Sequence, residues 1–361
     1  MKLFALYLPQ FHIIPENDKW WGKDFTEWVN VRKAKPLFRG HQQPIAPLDN
    51  VYYDLLQKET VERQTQQMHA YGVDGMIYYH YYFKGKKLLE KPAENLLKWK
   101  DIQQQFFFCW ANHSWNRSWN GSRELLMEQT YGTQEDWRAH FDYLLPFFKD
   151  ERYEKRDNKP VFMIYNGDFS EKHQMMDCFD NWCKDVGFDG IYIIEECFRA
   201  DADYIAKIRN NISHQTQKLF IAQPLAGRLI TYDSGNWLLE KLKWQIHKLR
   251  QKGIIKSVEL YSGSKIYRTM IKSAPLNKDM IPGAFFEWDN TPRHKTRGYI
   301  ITPPNKELFL EYMNKVSDSD YLFLNAWNEW AEGMVLEPTA HNGYKYLEWI
   351  QEWKQEYNTE K

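Results

Sequence analysis

The sequence predicts an α/β fold of the (β/α)8 TIM-barrel class, with elaborated loops after its strands. Eight short apolar runs rich in aromatic and β-branched residues recur along the chain, stretches of helical periodicity separate them, and no linker divides the 361 residues. Strands buried on both faces read as continuous apolar runs, and alternation of strand with helix builds a parallel sheet. Eight such units at roughly 45 residues each suit a closed barrel better than an open doubly wound sheet.

The runs lie at 3–8, 76–81, 106–110, 161–165, 191–195, 219–222, 281–286 and 321–326. The sixth is the least defined, because the stretch 257–261 could replace it within the long gap between 222 and 281. Helical spacing links Trp137, Phe141, Leu145 and Phe148, then Met176, Phe179, Trp182 and Val186. It recurs at Leu239, Leu242, Ile246 and Leu249, and at Leu308, Tyr312 and Val316. Segment 344–357 places Leu347, Ile350 and Tyr357 on one helical face and is expected to close the outer ring. With no Pro/Gly/Ser linker, low-complexity tract or solenoid period, residues 1–361 read as a single catalytic domain.

Composition narrows the partner. Lysine plus arginine (48) cancels aspartate plus glutamate (48), so no net field draws the chain onto nucleic acid or an anionic membrane. Cys109, Cys178, Cys183 and Cys197 have no disulfide or CxxC pattern and read as buried thiols. His12, His41, His80 and His113 are scattered and no HExxH occurs, so neither metal nor other cofactor is expected. The opening MKLFALYLPQFH stops its apolar run at Pro9, too short for a signal-peptide core, and no membrane span follows, so a cytoplasmic enzyme is expected.

Aromatic residues make up 17% of the chain, more than a core needs where they sit beside Asn, Glu, His and Gln, as in YYHYYF, HSWNRSWNG, FFEWDN and AWNEWAEG. Flat rings pack against the C–H faces of sugars while amides and carboxylates meet hydroxyls, so an oligosaccharide or polysaccharide is the expected substrate.

In a barrel of this class the active site lies at the C-terminal ends of the strands. The residues there are Gln10 and His12; Tyr79 and His80; Trp110, Asn112, Trp115 and Arg117; Tyr165 and Asn166; and Glu195 with Glu196. Glu287, Trp288, Asp289 and Arg293 follow the seventh run, and Trp327, Asn328, Glu329, Trp330 and Glu332 the eighth. Glu329 and Glu332 are the candidate catalytic pair. Cleavage at an acetal carbon needs one protonated carboxyl to assist the leaving oxygen and one ionised partner. Side chains at i and i+3 of a helical turn lie about 5–6 Å apart, close enough to share one sugar, and flanking tryptophans raise the pKa of an acid they desolvate.

Glu337 supports the pair or caps a loop. A Glu-Trp step repeats in FTEWVN, FFEWDN and WNEWAE, which would bring Glu27, Glu287 and Glu329 to the same mouth. Arg117, Arg293 and His294 could meet an anionic group on the substrate or form internal ion pairs.

The segments LYLPQFHIIPENDKWWGKDFTEWVNVRKAKPLFRGHQQPIAP, FCWANHSWNRSW, FFEWDNTPRH and LNAWNEWAEGMVLEP together resemble the WbsX-type glycosyltransferases, a group related to the family 99 glycoside hydrolases, endo-α-mannosidases and endo-α-mannanases. The resemblance runs in order from near residue 3 to about residue 350. It implies a (β/α)8 barrel and retaining, metal-independent chemistry on an α-mannoside-like linkage. It also implies roles. Glu329 would assist the substrate 2-hydroxyl in attacking its own anomeric carbon, giving a 1,2-anhydro sugar. Glu332 would serve as general acid and then base, and Tyr7 would be a sugar contact.

Three readings follow: a retaining hydrolase or transglycosylase using Glu329 and Glu332, a nucleotide-sugar glycosyltransferase of surface polysaccharide synthesis, and a non-catalytic glycan-binding barrel. The second would use an Asp-x-Asp tripeptide. Asp201-Ala202-Asp203 is expected at a helix start, and Asp318-Ser319-Asp320 precedes the eighth strand, at the wrong end of the barrel. No phosphate-cradling GxxxxGK[ST] or GxGxxG occurs.

Overall fold

The computed structural model describes residues 1–117, 124–274 and 276–360. Six strands, β1 (Lys2–Tyr7), β2 (Gly75–Phe83), β3 (Phe106–Trp110), β4 (Lys159–Ile164), β5 (Tyr192–Cys197) and β6 (Thr216–Ile221), lie side by side in chain order, all parallel. The seventh stave, β7, is two pieces around Pro282: Met280–Ile281 pairs with β6, and Gly283–Phe285 pairs with β8 (Tyr321–Asn325). Proline has no N–H to give a ladder, so the break falls there, yet its carbonyl still accepts from Phe323 N at 3.1 Å. Pairing of β8 with β1 joins the other side, giving the (β/α)8 barrel.

The interior is filled by rings from strands that are not neighbours. Phe4 meets Phe107 at 5.2 Å between centroids, Phe107 meets Phe323 at 5.6 Å, and Phe323 meets Phe220 at 5.0 Å. All four are inaccessible to solvent, each contributing about 1.5–3 kcal/mol of burial. The packing leaves no room at Gly75, where a β-carbon would come within 2.3 Å of the Phe4 ring.

Outside the staves run α1 (Lys58–Ala70), α2 (Lys91–Lys98), α3 (Gln134–Phe148), α4 (Lys172–Asp185) and α5 (Ala202–Arg209), one after each of the first five strands. Helix α3 starts in a capping box, with Asp136 accepting from Thr133 N at 2.8 Å, and buries Trp137, Phe141, Leu144 and Phe148 while Leu145 stays half-exposed. Three helices follow β6: α6 (Leu225–Tyr232), α7 (Trp237–Gln251) and α8 (Gly263–Ser273). Helix α9 (Lys306–Lys315) precedes β8, and α10 (Lys345–Glu360) follows it.

The sixth strand is the run 216–221, and the competing stretch is not in the barrel. Glu259–Ser262 pairs in parallel with Tyr299–Thr302, which pairs antiparallel with Trp288–Asp289 in a separate three-stranded sheet. That sheet belongs to the insertions after β6 and β7, on the mouth side of the barrel.

Candidate active site

Side chains alternate along a strand, and on β2 the alternation sorts the expected contacts. Tyr79 and Tyr81 line a cleft of about 400 Å³. Their neighbours Tyr78 and His80 face the helices: Tyr78 OH donates to Gln104 at 2.6 Å, and His80 Nε2 lies 2.8 Å from His140 Nε2 of α3. Burial pushes His80 down to about 3, so one neutral imidazole N–H serves both rings. Tyr7 and Trp110 also face outward. Tyr7 OH donates to Gln64 of α1 at 2.7 Å, and the Trp110 ring lies 5.0 Å from His140. These three expected sugar contacts, Tyr7, His80 and Trp110, therefore stand behind the cleft wall, between barrel and helices.

The cleft is lined by Gln10, Trp21, Tyr79, Tyr81, His113, Trp115, Tyr165, Arg293, Glu329 and Glu332, among others. Trp115 stands edge-on to Tyr81 at 4.9 Å and to Trp20 at 5.7 Å, making an aromatic wall opposite the acids. Tyr81 and Trp21 were absent from the sequence expectations; the period of two starting at Tyr79 identifies the first. A larger hollow of about 650 Å³ lies at the other end of the barrel, but its Asp150 already binds Lys100 and Arg152.

The pair stands on a tight loop rather than a helical turn. Asn328–Glu329 pairs antiparallel with Met334–Val335 around a 3₁₀ turn, Trp330–Glu332. Glu329 ends the strand before the turn and Glu332 ends the turn, and both side chains reach the same cleft and the same guanidinium. Gly333 closes the turn at φ +61°, where a β-carbon would lie 2.9 Å from Asp289 N. Asn328 ties the loop to the end of β1, accepting from Leu8 N at 2.7 Å and donating to Leu8 O at 3.0 Å.

Arg293 organises the acids. Its guanidinium bonds Glu332 Oε1, donates to Glu27 Oε2 at 3.2 Å and lies 3.8 Å from Glu329 Oε2. Burial opposes its charge, but Glu27, Glu332 and Glu329 outweigh burial and hold it protonated. Glu27, inaccessible to solvent, is raised above the usual carboxylate range by burial, with Arg293 limiting the shift. Glu329 is raised by burial first and then by the charge of Glu332. Its buried Oε2 makes no hydrogen bond. Burial thus favours the protonated form of Glu329, while Glu332, the more exposed of the two, bonds the guanidinium.

The other expected residues brace this centre. Glu337 accepts from Tyr53 OH at 2.6 Å, Gln64 Nε2 at 2.7 Å and Trp330 Nε1 at 2.9 Å, so Tyr7, Gln64, Glu337 and Trp330 form one chain behind the turn. Trp327 is inaccessible, with its backbone N–H donating to Leu6 O at 2.7 Å. Asp289 accepts from Gln43 at 2.6 Å and lies 2.7 Å from His41 Nε2, while Trp288 packs on Tyr299 at 5.2 Å. Glu287 turns away to Asn342 at 3.0 Å, so of the three Glu-Trp repeats only Glu27 and Glu329 meet on Arg293. Asn112 clamps Asn166 through both amide atoms at 2.7 Å, and His12 is buried. Arg117 is held by Glu124 at 2.8 Å and by Trp20 O at 2.5 Å. Burial and Arg293 push His294 down to about 4, so it stays neutral.

Glu195 and Glu196 part by the same alternation. Glu195 bonds Lys172 of α4 at 2.9 Å and Thr216 Oγ1 at 2.6 Å, while Glu196 makes neither contact; both border a small hollow beside Tyr165. Neither Asp-x-Asp tripeptide reaches the cleft. Asp201 caps α5 through Tyr204 N at 3.0 Å, and Asp320 accepts from Lys2 N at 2.8 Å at the opposite rim. Among the described residues no group of three or more His, Cys, Asp or Glu is placed to hold a metal ion, and no helix is long and apolar enough to cross a membrane.

Comparison with known proteins gives the family and the fold. The profile of the family described as glycosyltransferase WbsX matches residues 3–350. The chain is 31% identical over 362 aligned residues to the proteins described as uncharacterized protein WxcX in Xanthomonas campestris pv. campestris strains B100 and ATCC 33913, covering 96% of this chain. It spans 48% of their length, about half. Among solved structures it is similar to the GH99 endo-α-mannosidase of Bacteroides thetaiotaomicron, with a TM-score of 0.58 at 12% identity over 99% of this chain and 97% of that one. A glycoside hydrolase-like protein gives a TM-score of 0.59 at 12% identity, covering 98% and 93%. These likenesses show a shared barrel fold. With its profile match running through the barrel and the acid-bearing turn, this chain belongs to the glycosyltransferase WbsX family.

Proposed function

We propose that the chain is a retaining enzyme acting on an α-mannoside-like linkage in surface polysaccharide or related glycan metabolism, in the cytoplasm, with Glu329 and Glu332 as its catalytic pair. The observation that carries this reading is the gathering of Glu27, Glu329 and Glu332 around Arg293 at the barrel mouth, opposite the Trp115–Tyr81 wall.

The roles the family resemblance implies require substrate to shift Glu329 toward its ionised form. A sugar 2-hydroxyl donating to the bare Oε2 of Glu329 favours the ionised form of that acid. Glu332 sits at the more exposed end of the pair, where a leaving group can depart. Glu329 takes the 2-hydroxyl proton as that oxygen bonds the anomeric carbon, while Glu332 protonates the departing oxygen. Glu332 next deprotonates the acceptor, water or a sugar hydroxyl, as it opens the anhydro ring, and Glu329 returns its proton to the 2-oxygen. Two inversions at one carbon give net retention. In the test, Glu329→Gln and Glu332→Gln each lower turnover of α-mannoside oligosaccharides by about 10²–10⁴-fold or more with an unchanged melting temperature. Near-normal turnover in both variants overturns the proposal.

The family's own description favours a second reading, transfer from a nucleotide-activated sugar. Stabilisation by nucleotide diphosphates in a thermal-shift assay would support it, and no shift would remove it.

A further inference from the structure

Helix α7 (Trp237–Gln251) is built inside out. A helix on a globular protein turns its apolar stripe to the core and its charges to water. Here the polar side faces the body. Lys243 Nζ donates to Tyr232 O at 2.7 Å, Arg250 binds Glu259 at 2.7 Å and Ser257 O at 3.1 Å, and His247 lies 3.4 Å from Glu259. Positions 243, 247 and 250 share one helical face by their spacing of four and three. Leu238, Leu242 and Leu249 share another, and that one faces solvent at 58, 56 and 37% exposure. Trp237 and Trp244 are 69 and 51% exposed. None of these five residues joins a hydrophobic cluster of the described structure.

The charge around this stripe has one sign. Residues 237–256 carry Lys241, Lys243, Lys248, Arg250, Lys252 and Lys256 against Glu240, in a chain whose overall charge is zero. The neutrality that argues against a global field thus hides a local basic segment. Lys241 and Lys248 lie over the rings of Trp237 and Trp244, at 5.7 and 3.4 Å from the ring centroids. Leucines pointing outward, tryptophans at their border and lysines beside them are what a helix lying in a lipid headgroup layer requires. A second copy of the same helix would set like charge against like, because a two-fold contact pairs a patch with itself.

We propose that α7 docks the protein on an anionic phospholipid surface, with its Leu238–Leu242–Leu249 stripe inserted and its lysines among the headgroups. The helix leans on the turn after Arg293, Gln251 donating to Arg297 O at 3.2 Å, so docking brings the mouth of the barrel to the membrane surface. The inference stands whether or not Glu329 and Glu332 are catalytic.

The test is flotation of the full chain with vesicles of phosphatidylcholine alone and of phosphatidylcholine with phosphatidylglycerol. Binding is expected on the anionic vesicles, weakened by high salt and absent on the neutral ones. Lys241→Glu with Lys248→Glu lowers partitioning at least about twenty-five-fold, a factor of about five for each lysine lost. Leu238→Ser with Leu242→Ser abolishes it at an unchanged melting temperature, since both side chains are exposed. The proposal is overturned by absence of binding to anionic vesicles, by equal binding to neutral ones, or by variants that bind as wild type. Self-association lost in the serine variant, without vesicle binding, would instead assign the stripe to a second copy and equally overturn it.

Discussion

Replacing Arg293 by methionine keeps most of the side-chain volume and removes the guanidinium that Glu27 and Glu332 bind and that lies 3.8 Å from Glu329. Buried Glu27 and Glu329 and half-exposed Glu332 then face one another without their counter-charge. Breaking a buried pair by removing one partner costs about 3–5 kcal/mol. At about 2.1 cal/mol/K per residue, 361 residues make each kcal/mol worth about 1.3 °C, so the melting temperature should fall about 4–7 °C at pH 8. The loss must depend on pH. Without Arg293 the two buried acids, Glu27 and Glu329, bind protons more tightly in the folded state, so the penalty grows as pH rises through their ionisation and shrinks where they are protonated. At pH 5 the loss is smaller, approaching that of the lost hydrogen bonds alone, about 1–2 kcal/mol. Arg293→Lys should recover part of the loss, since lysine restores the charge but not the fork that reaches two carboxylates. Melts of the three proteins at both pH values decide the matter. An equal loss at pH 5 and pH 8, or none, refutes the idea that Arg293 is the electrostatic centre of the site.

Other perturbations test the surroundings. Burial pushes Glu287 from 4.5 up to about 7, so its contribution to stability is fully present below pH 4.5 and lost as pH rises through 7, about 3 kcal/mol in all. Glu287→Gln should flatten the stability profile across that window, and an unchanged slope in denaturant titrations would count against the assignment. Trp115→Ala should raise KM about tenfold to a hundredfold, the worth of one large aromatic contact, with a smaller change in kcat; an unaltered KM would remove Trp115 from the sugar wall. Glu337→Gln puts an amide where an acceptor of three donors stood, and should cost about 1–3 kcal/mol and lower kcat through the displaced Trp330 turn. Full stability and activity in that variant would show that the brace is dispensable.

Much of the fold was legible because barrel strands are buried on both faces and announce themselves as apolar runs. Each expected run overlaps an observed strand, including the disputed sixth. The sheet of 259–262 with 299–302 and 288–289 was not legible, since its pairings are long-range and leave no local signature. The Glu-Trp repeat foresaw that Glu27 and Glu329 approach one centre, yet it could not separate them from Glu287, whose direction depends on a loop. Tyr7, His80 and Trp110 were expected at the mouth because they lie near strand ends. The structure turns them outward by strand parity, a rule that reading Tyr79 and Tyr81 together as inward residues would have supplied. The inverted polarity of α7 was also beyond reach, since helical periodicity reveals an apolar stripe without saying which way it faces.

In the proposed reaction Glu332 protonates a leaving group while Glu329 acts at the neighbouring hydroxyl. Turnover of an α-mannosyl fluoride, whose leaving group needs no proton, measures this directly when followed by proton NMR of the first product anomer. Wild type is expected to give the α product. Glu332→Gln is expected to keep most of its first-step rate on the fluoride while losing the ordinary oligosaccharide, and Glu329→Gln to lose both. A β product first, or a Glu329→Gln variant that retains the fluoride reaction while Glu332→Gln does not, would contradict these roles.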